Sequence, residues 1–418
     1  MPNFDLVFRE ARILENGADT TADVAVQGGR IVAIRPCVAG TSRIDVACAG
    51  RWLLPGAVDM HVHLRDPGLT HKEDIASGTK AAVMGGVTTV CDMPNTLPPT
   101  ISLATLRAKA DRAREVAQCD IRFFVALGKD NIGDIATCIG EPSFAGVKVF
   151  LGATTGELLT ETGILERAID ALPVLFVFHA EDESVLLRNR GIAGPTPDVT
   201  SHHKIRPAQA AVEGARRIAA LARPGMRLHV CHLSAADELR VLEETPGLTC
   251  EVAPHHLWFT ADDAVPAGNL LKVNPPIRVE SDRTALRSAL ADGAIAAVAT
   301  DHAPHTLAEK SQPYLIAPSG VPGLDTMVPS TLMLVQQGCL SMARAVDALS
   351  TAPARILGLA DRGLIAEGLR ADMYLWNPSS TWTVKKKDLA TRCGWSPFEN
   401  IKLAGRPDGV WILGRRVA

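Results

Sequence analysis

The sequence predicts an α/β protein in which a (β/α)8 TIM-like barrel carries a small β-sandwich domain built from the N- and C-terminal segments. Three observations predict it. Short apolar runs recur eight times through the middle of the chain, helical patterns lie between them, and strand-like segments rich in Val and Ile occur near both ends. Continuously apolar strands that alternate with helices are typical of a parallel sheet buried on both faces. Eight such units over roughly 300 residues match a (β/α)8 barrel.

Each of the eight predicted barrel strands leads into polar or charged residues. The runs cover residues 57–65, 87–95, 121–130, 146–152, 173–182, 227–234, 249–256 and 294–305. Two predicted helices between them, 103–116 and 208–222, repeat apolar residues at every third or fourth position, and the second begins behind Pro207. Because the active site of such a barrel gathers at the carboxyl ends of its strands, we expect these polar residues to lie together.

The two ends of the chain resemble each other more than they resemble the middle. Residues 5–14 and 24–34 are rich in Val, Ile and Phe, and strand character returns at 371–376 and 410–417. We therefore predict that both ends join in one small domain. The predicted domains are a β domain of residues 1–52 plus 361–418 and a (β/α)8 barrel of residues 53–360.

Composition excludes several classes of protein. A chain of 418 residues that is 47% apolar can bury a large core without disulfides. The formal net charge is −3 and no block of Lys and Arg occurs, so we expect no nucleic-acid partner. Nine cysteines without a CxxC pair fit a reducing compartment. Neither a signal-peptide pattern nor an apolar run of membrane-spanning length is present, so we expect a soluble cytoplasmic protein with no membrane partner.

The first run ends in a pattern that suits a metal ion. Side chains alternate along a strand, so His61, His63 and Arg65 share one side. Two imidazoles so placed at the end of a strand can bind one zinc ion. The alternative is an ordinary pair of surface histidines, which is the commoner meaning of an isolated HxH. The position at the end of a barrel strand, followed by an arginine on the same side, favours the metal.

Other runs end in further candidate ligands. His179, His232 and Asp301 each follow an apolar run, and although a lone histidine there is usually a core residue, their convergence with the first pair favours a metal centre. Lys148 lies inside an apolar strand, where an ammonium group is costly to bury unless it is paired or neutralised. A lysine of lowered pKa can react with CO2 to give a carbamate that bridges two metals. A salt-bridged lysine is the alternative.

Nine motifs in order resemble those of the dihydroorotases of the amidohydrolase superfamily, of the type found in longer bacterial chains and in multifunctional pyrimidine-synthesis proteins. The resemblance covers nearly the whole chain. The motifs are HVHLRDPG (61–68), CDMPNT (91–96), GVKVF (146–150), HAE (179–181), CH (231–232), EVAPHH (251–256), NPPIR (274–278), DHAPHT (301–306) and GVPGLDT (320–326). Each motif alone is weak, and their common order carries the resemblance.

The resemblance implies two zinc ions per subunit and a set of substrate contacts. It assigns His61, His63 and Asp301 to the first zinc, His179 and His232 to the second, and N6-carboxylated Lys148 as the bridge. It assigns substrate contacts to Arg65, Asn95, Asn274, His305 and the backbone near Gly320. Cys231 matches a position that is implicated in an extra zinc in some relatives, with a buried structural thiol as the alternative.

The implied reaction is the reversible interconversion of L-dihydroorotate and N-carbamoyl-L-aspartate in de novo pyrimidine biosynthesis, with Asp301 as the catalytic acid and base. The resemblance implies that the loop after Lys148 acts as a lid whose Thr154 or Thr155 contacts the small-molecule substrate. An ordinary connection between a strand and a helix is the alternative. The resemblance also implies a homodimer or homotetramer and a transcarbamoylase as a partner protein.

Two other functions compete with this interpretation. A hydantoinase or allantoinase would share the metals but has no fixed substrate carboxylate, so Arg65 and Asn95 favour dihydroorotate. A non-catalytic dihydroorotase-like scaffold subunit typically loses metal ligands, whereas all six positions carry ligand residues in this sequence.

Overall fold

The computed structural model describes residues 3–153, 158–192, 194 and 197–418. The chain begins with the strands β1 (Asn3–Glu15), β2 (Ala18–Gln27), β3 (Arg30–Arg35), β4 (Thr41–Ala47) and β5 (Trp52–Pro55). The middle contributes β6 (Ala57–Val62), β7 (Val87–Asp92), β8 (Asp120–Ala126), β9 (Phe144–Phe150), β10 (Leu175–His179), β11 (Arg227–Val230), β12 (Thr249–Val252) and β13 (Ala297–Val298). The end contributes β14 (Met373–Trp376), β15 (Thr381–Thr383), β16 (Lys402–Ala404), β17 (Gly409–Ile412) and β18 (Arg415–Arg416).

Helices lie mainly between the middle strands. They are α1 (Ile75–Met84), α2 (Leu103–Val116), α3 (Ile132–Cys138), α4 (Thr162–Ala171), α5 (Glu183–Asn189), α6 (His202–Ile205), α7 (Ala208–Leu221), α8 (Ala236–Glu243), α9 (Pro254–Trp258), α10 (Ala264–Ala267), α11 (Glu280–Asp292), α12 (Leu307–Lys310), α13 (Met327–Gln336), α14 (Met342–Val346) and α15 (Ala352–Leu357). The helices predicted at 103–116 and 208–222 are confirmed as α2 and α7.

The barrel is formed by β6 to β13, which pair in sequence order and run parallel. A parallel bridge between Val62 and His302 joins the first strand to the chain just beyond the last. Each of the eight predicted runs contains one of these strands, so the predicted barrel is confirmed. All residues of β6, β7 and β10 are buried, as expected for strands covered on both faces.

Two apolar clusters hold the barrel together. The larger lies between the strands and the surrounding helices, and the smaller fills the barrel interior with residues such as Val58, Met60 and Phe124. The interior cluster also includes residues of α15, which packs near the amino end of β11, where Arg227 donates to the Ile356 carbonyl. The interior is therefore packed below the carboxyl ends of the strands, and the site lies above it.

The strand-rich ends share one sheet, as the sequence predicted. Its order is β18-β17-β14-β5-β1-β2-β3, with β4 paired to β1. Strand β5 and the late strand β14 run antiparallel, with Trp52 opposite Trp376. The domain boundaries after residues 52 and 360 stay predictions. Among the described helices, none has the length and apolar character needed to cross a membrane.

Candidate active site

The predicted metal ligands lie around one cavity at the carboxyl ends of the barrel strands. Lys148 and His179 belong to β9 and β10, and His232 and Asp301 follow β11 and β13 within a few residues. The cavity is lined by His61, His63, Arg65, Asn95, Lys148, Phe150, His179, His232, Asn274, Asp301, Ala303, Ser319 and Gly320. The fold thus brings together the predicted ligands and most of the predicted substrate contacts.

A break in the strand register aims the first two histidines. The pairing of β6 with β7 shifts between Asp59 and Val62, and such an irregularity re-aims the side chains that follow it. Val58 and Met60 therefore pack inside the barrel, whereas His61 and His63 line the cavity. The positive φ of Asp301, 45°, lies at the corresponding point after β13.

His61, His63 and Asp301 form a compact group of possible ligands. The carboxylate Oδ1 of Asp301 lies 3.0 Å from Nε2 of His63 and 3.4 Å from Nε2 of His61. The three ligand atoms lie within 4.8 Å of one another, and the residues are buried. This spacing and donor set suit one metal ion.

His179 and His232 form a second pair beside this group. Nδ1 of His179 lies 3.1 Å from Nε2 of His232. Burial lowers the pKa of both imidazoles, so both rings are neutral and can offer lone pairs to a metal. The pair therefore fits the role of ligands to a second ion.

In three of these rings, the nitrogen that does not face the neighbouring ligand residue has an acceptor of its own. His61 Nδ1 lies 2.6 Å from Glu251, and His179 Nε2 lies 2.9 Å from Glu181. His63 Nδ1 lies 2.6 Å from Oδ1 of Asn95. An acceptor on one nitrogen fixes the proton there and leaves the other nitrogen free to bind a metal. The three rings are thus oriented for ligation.

Charge in the cavity also suits a cation. Burial raises the pKa of Asp301, but His61 and His63 outweigh burial and hold it well below its usual range. Burial and Lys148 lower the pKa of His61, yet Cys231, Asp301 and Glu251 raise it to about 10. The carboxylates of Asp301 and Glu251 therefore attract positive charge to this position. A metal cation would supply that charge in place of the imidazolium proton.

Lys148 has no carboxylate partner among the residues that the structure covers. Its side chain is buried, with Nζ 3.1 Å from the Cys231 sulfur and 5.4 Å from the Phe150 ring centre. The described residues therefore do not support the alternative that Lys148 forms a salt bridge. His61, Cys231 and Glu251 also place ligand atoms within 4.8 Å of one another, which is compatible with the extra-zinc position.

Arg65 presents a buried cation to the same cavity. It is 2% exposed, its φ is 61°, and its guanidinium contacts the Pro304 carbonyl at 3.3 Å and His305 Nε2 at 3.2 Å. Burial lowers its pKa to about 10, so it stays charged at neutral pH. Within the described part of the chain, no carboxylate lies in salt-bridge distance of it. A buried guanidinium without such a partner suits an anionic ligand.

Some predicted residues lie elsewhere. His305 is not among the residues that line the cavity, and its ring contacts Arg65, Lys72 and the Ser319 carbonyl. Its role as a direct substrate contact stays a prediction. Thr154 and Thr155 lie outside the described residues.

Sequence reasoning assigned no role to Glu181 or Glu251, although both stand in the quoted motifs. The sequence could have indicated Glu181, because it stands two residues after His179 in the HAE motif, and residues two apart on a strand point to the same side. Glu251 lies on β12, far from His61 in sequence, so only the barrel brings the two together. His202, which contacts Asn274, had no motif to mark it.

Comparison with known proteins agrees with this geometry. The sequence matches the amidohydrolase family over residues 198–417 and the dihydro-orotase-like family over residues 50–191. It is 34% identical to a dihydroorotase from Trichlorobacter lovleyi, with 99% of each chain covered. It is 37% identical to a dihydroorotase from Halobacterium salinarum, with 94% of this chain and 92% of that one covered.

A similar solved structure is an L-hydantoinase (dihydropyrimidinase) from Arthrobacter aurescens, with a TM-score of 0.94 at 26% identity, covering 99% of this chain and 96% of that chain. A dihydropyrimidinase from Brevibacillus agri gives a TM-score of 0.91 at 26% identity, with 98% and 94% covered. These solved structures are a hydantoinase and a dihydropyrimidinase, whereas the relatives matched by sequence are dihydroorotases. The chain is therefore a hydrolase of the amidohydrolase family and belongs to its dihydroorotase branch.

Proposed function

We propose that this hydrolase interconverts L-dihydroorotate and N-carbamoyl-L-aspartate, as a cytoplasmic step of de novo pyrimidine biosynthesis. The observation that carries the proposal is the buried Arg65 guanidinium, which lines the same cavity as the ligand set and has no carboxylate partner in the described chain. Dihydroorotate bears a carboxylate on its ring, and the planar guanidinium can pair with both of its oxygens.

Two zinc ions are part of the proposal. His61, His63 and Asp301 would hold one ion, His179 and His232 the other, and N6-carboxylated Lys148 would bridge them. Bound zinc at such a site lowers the pKa of water and polarises a carbonyl. The buried, oriented imidazoles and the Asp301 carboxylate support this assignment.

Asp301 is the group that moves the proton. In hydrolysis, water oxygen adds to the ring carbonyl carbon, and the bond from that carbon to the amide nitrogen breaks. Asp301 accepts the proton of the attacking water and passes it to the leaving nitrogen. Its low pKa keeps it a carboxylate at neutral pH, as the hydrolytic direction requires. In ring closure the same carboxyl must start protonated.

The amides in the cavity complete the proposed substrate site. Asn95 uses Oδ1 to accept from His63, which leaves its amide nitrogen free to donate to the substrate carboxylate. The backbone at Gly320 lies at the cavity wall and cannot carry a larger residue easily, because a Cβ there would lie 2.5 Å from the Ala303 carbonyl oxygen. We expect this backbone to contact the ring.

A hydantoinase activity is the second candidate, favoured by the likeness to solved hydantoinases. A scaffold role without catalysis is opposed by the full ligand set around the cavity. The family resemblance further suggests a homodimer or homotetramer and a transcarbamoylase partner. Light scattering of the protein alone measures its oligomeric state. Light scattering of a mixture with an aspartate transcarbamoylase measures whether the two proteins associate.

The deciding experiment compares ring substrates and Arg65 variants. The zinc-loaded protein is assayed with dihydroorotate, hydantoin and allantoin, and we expect dihydroorotate to have the highest kcat/KM. Arg65→Lys keeps the charge but removes the two-pronged pairing. We expect kcat/KM for dihydroorotate to fall about 10- to 100-fold, as for loss of a hydrogen bond to a charged group.

The matched control is Arg362→Lys, because Arg362 is also buried but pairs with Asp120 away from the cavity. The control should keep the wild-type kcat/KM, and zinc content measured by mass spectrometry should be unchanged in both variants. Faster turnover of hydantoin than of dihydroorotate would overturn the proposal. Parallel loss of zinc and activity in Arg65→Lys would show that Arg65 supports the metal ligands instead.

A further inference from the structure

A buried histidine outside the metal centre contacts one of the cavity amides. His202, at the start of α6, is 5% exposed. Its Nε2 lies 2.9 Å from the Val273 carbonyl oxygen and 3.0 Å from Oδ1 of Asn274. Its Nδ1 lies 2.7 Å from the Tyr314 hydroxyl. Three side chains therefore form a continuous path from Tyr314 to the cavity wall.

The partners fix where the protons lie along this path. The Val273 carbonyl can only accept, so Nε2 of His202 must carry a proton. Burial and Arg206 lower the pKa of His202 to about 3, so the ring is neutral and Nδ1 holds a lone pair. The Tyr314 hydroxyl therefore donates to Nδ1, and Nε2–H donates to the Val273 oxygen and to Oδ1 of Asn274.

This direction decides which end of Asn274 faces a ligand. With its oxygen held by His202, the side chain has only its amide nitrogen left, and no described residue accepts from that nitrogen. Asn274 also lines the catalytic cavity. A free asparagine could present either its oxygen or its nitrogen, but this one is set as a donor.

We infer that His202 and Tyr314 are positioning residues that fix Asn274 as a hydrogen-bond donor to an oxygen of the substrate. The inference rests on the proposed function for the identity of that substrate, a cyclic amide whose carbonyl and carboxylate oxygens are acceptors. The contacts of His202 explain why the Asn274 amide keeps its nitrogen toward the substrate. Reversal of Asn274 would place oxygen against oxygen and weaken binding.

The first test separates binding from chemistry. His202→Phe removes the donor while keeping a planar ring, and we expect KM for dihydroorotate to rise about tenfold with kcat within about threefold. His202→Gln retains an N–H in place of Nε2–H, so it should recover most of the wild-type KM. Tyr314→Phe leaves the Nε2–H of His202 in place, because the Val273 carbonyl still requires it, but removes the hydroxyl that holds Nδ1. This variant should therefore raise KM by a smaller factor.

The neighbouring His203 supplies a matched control, because no hydrogen bond of its side chain occurs in the described chain and His203→Phe makes the same change one residue away. This variant should keep the wild-type KM. A tenfold rise in KM for His203→Phe, or no recovery in His202→Gln, would overturn the inference. Melting temperatures and zinc content of all variants check that the fold and the metal centre are intact.

A double-mutant cycle tests whether His202 acts through Asn274. The Asn274→Ala variant has no side-chain amide for His202 to orient. Adding His202→Phe to it should therefore change KM by less than about twofold. If the double variant instead raises KM by the product of the two single-variant effects, the inference is overturned. If the wild-type protein hydrolyses hydantoin but not dihydroorotate, the proposed function fails, and the same cycle measured with hydantoin still decides the role of His202.

Discussion

At Lys148, a buried ammonium faces a thiol and an aromatic ring rather than a carboxylate. Conversion to a carbamate would remove the positive charge and supply two oxygens between the two groups of ligands. We expect Lys148→Ala to lose most activity and bound zinc. Added small carboxylic acids should restore part of the activity, because they supply the missing oxygens.

Carbon-13 labelling measures the modification directly. Protein loaded with zinc in 13C-bicarbonate should show a carbamate carbon signal by NMR, and Lys148→Ala, prepared in the same way, should lack it. An unmodified Lys148 in protein with full zinc content and full activity would contradict the assignment.

Single residues could be recognised from the sequence as candidates for the site where a ligand-type side chain coincides with the end of a strand. His61 and Asp301 were recognisable because a ligand-type side chain directly follows an apolar run. Glu251 and His202 could not be assigned in this way, since each acts through a contact with a residue far along the chain. Their roles depend on the closure of the barrel, which no local pattern encodes.

At the scale of elements, the first turn of helix α8 contains a buried acid. Glu238 accepts from the Ser234 and Ala235 backbone N–H groups at 2.9 and 2.8 Å and from the Ser234 hydroxyl at 3.0 Å. Burial nevertheless raises its pKa from 4.5 to about 7. The folded state therefore holds this proton more tightly than the unfolded chain does. Its contribution to stability is present below pH 4.5 and is lost as the pH rises through 7.

We expect Glu238→Gln to keep an acceptor oxygen and to lose this pH dependence. Relative to wild type, its free energy of unfolding should be about 1–3 kcal/mol higher at pH 8 and similar at pH 4.5. Urea unfolding at both pH values measures the difference. Glu243→Gln, an exposed change on the same helix, is the control and should match wild type at both. An equal effect at the two pH values would show that the Glu238 carboxyl does not titrate in this range.

The eight barrel strands were predictable in number and order but not in length. The predicted run 294–305 contains a strand of only two residues, β13. Beyond it the Thr300 backbone and hydroxyl donate to Asp59, and Asp301 adopts a positive φ. The strand therefore ends where the sequence passes from apolar residues to the polar residues Thr300, Asp301 and His302.

At the scale of the whole molecule, the last segment of the chain, residues 361–418, contacts both the small sheet and the barrel. Strand β14 pairs with β5, and the Trp395 indole donates to the His305 carbonyl at 2.7 Å. Thr391 and the Arg392 backbone donate to Glu73, which is buried. The C-terminal segment is thus bound to the surroundings of the catalytic cavity.

We expect residues 1–360, expressed without 361–418, to lack cooperative unfolding and activity, because these contacts and one edge of the sheet are lost. Circular dichroism melting and a dihydroorotate assay measure this outcome. Co-expression of residues 361–418 as a separate chain is the control and should restore both. A truncated chain with a native melting curve would show that the barrel is independent of the last segment.

The pairing of β5 with β14 also sets an order of events during synthesis. Strand β5 leaves the ribosome early, while β14 is made only near the end of translation. Until then the N-terminal strands carry an unpaired edge, and such edges invite association with other chains. A nascent chain of this protein therefore spends most of its translation exposed to aggregation at β5, and chaperones that cover strand edges should matter most during that interval.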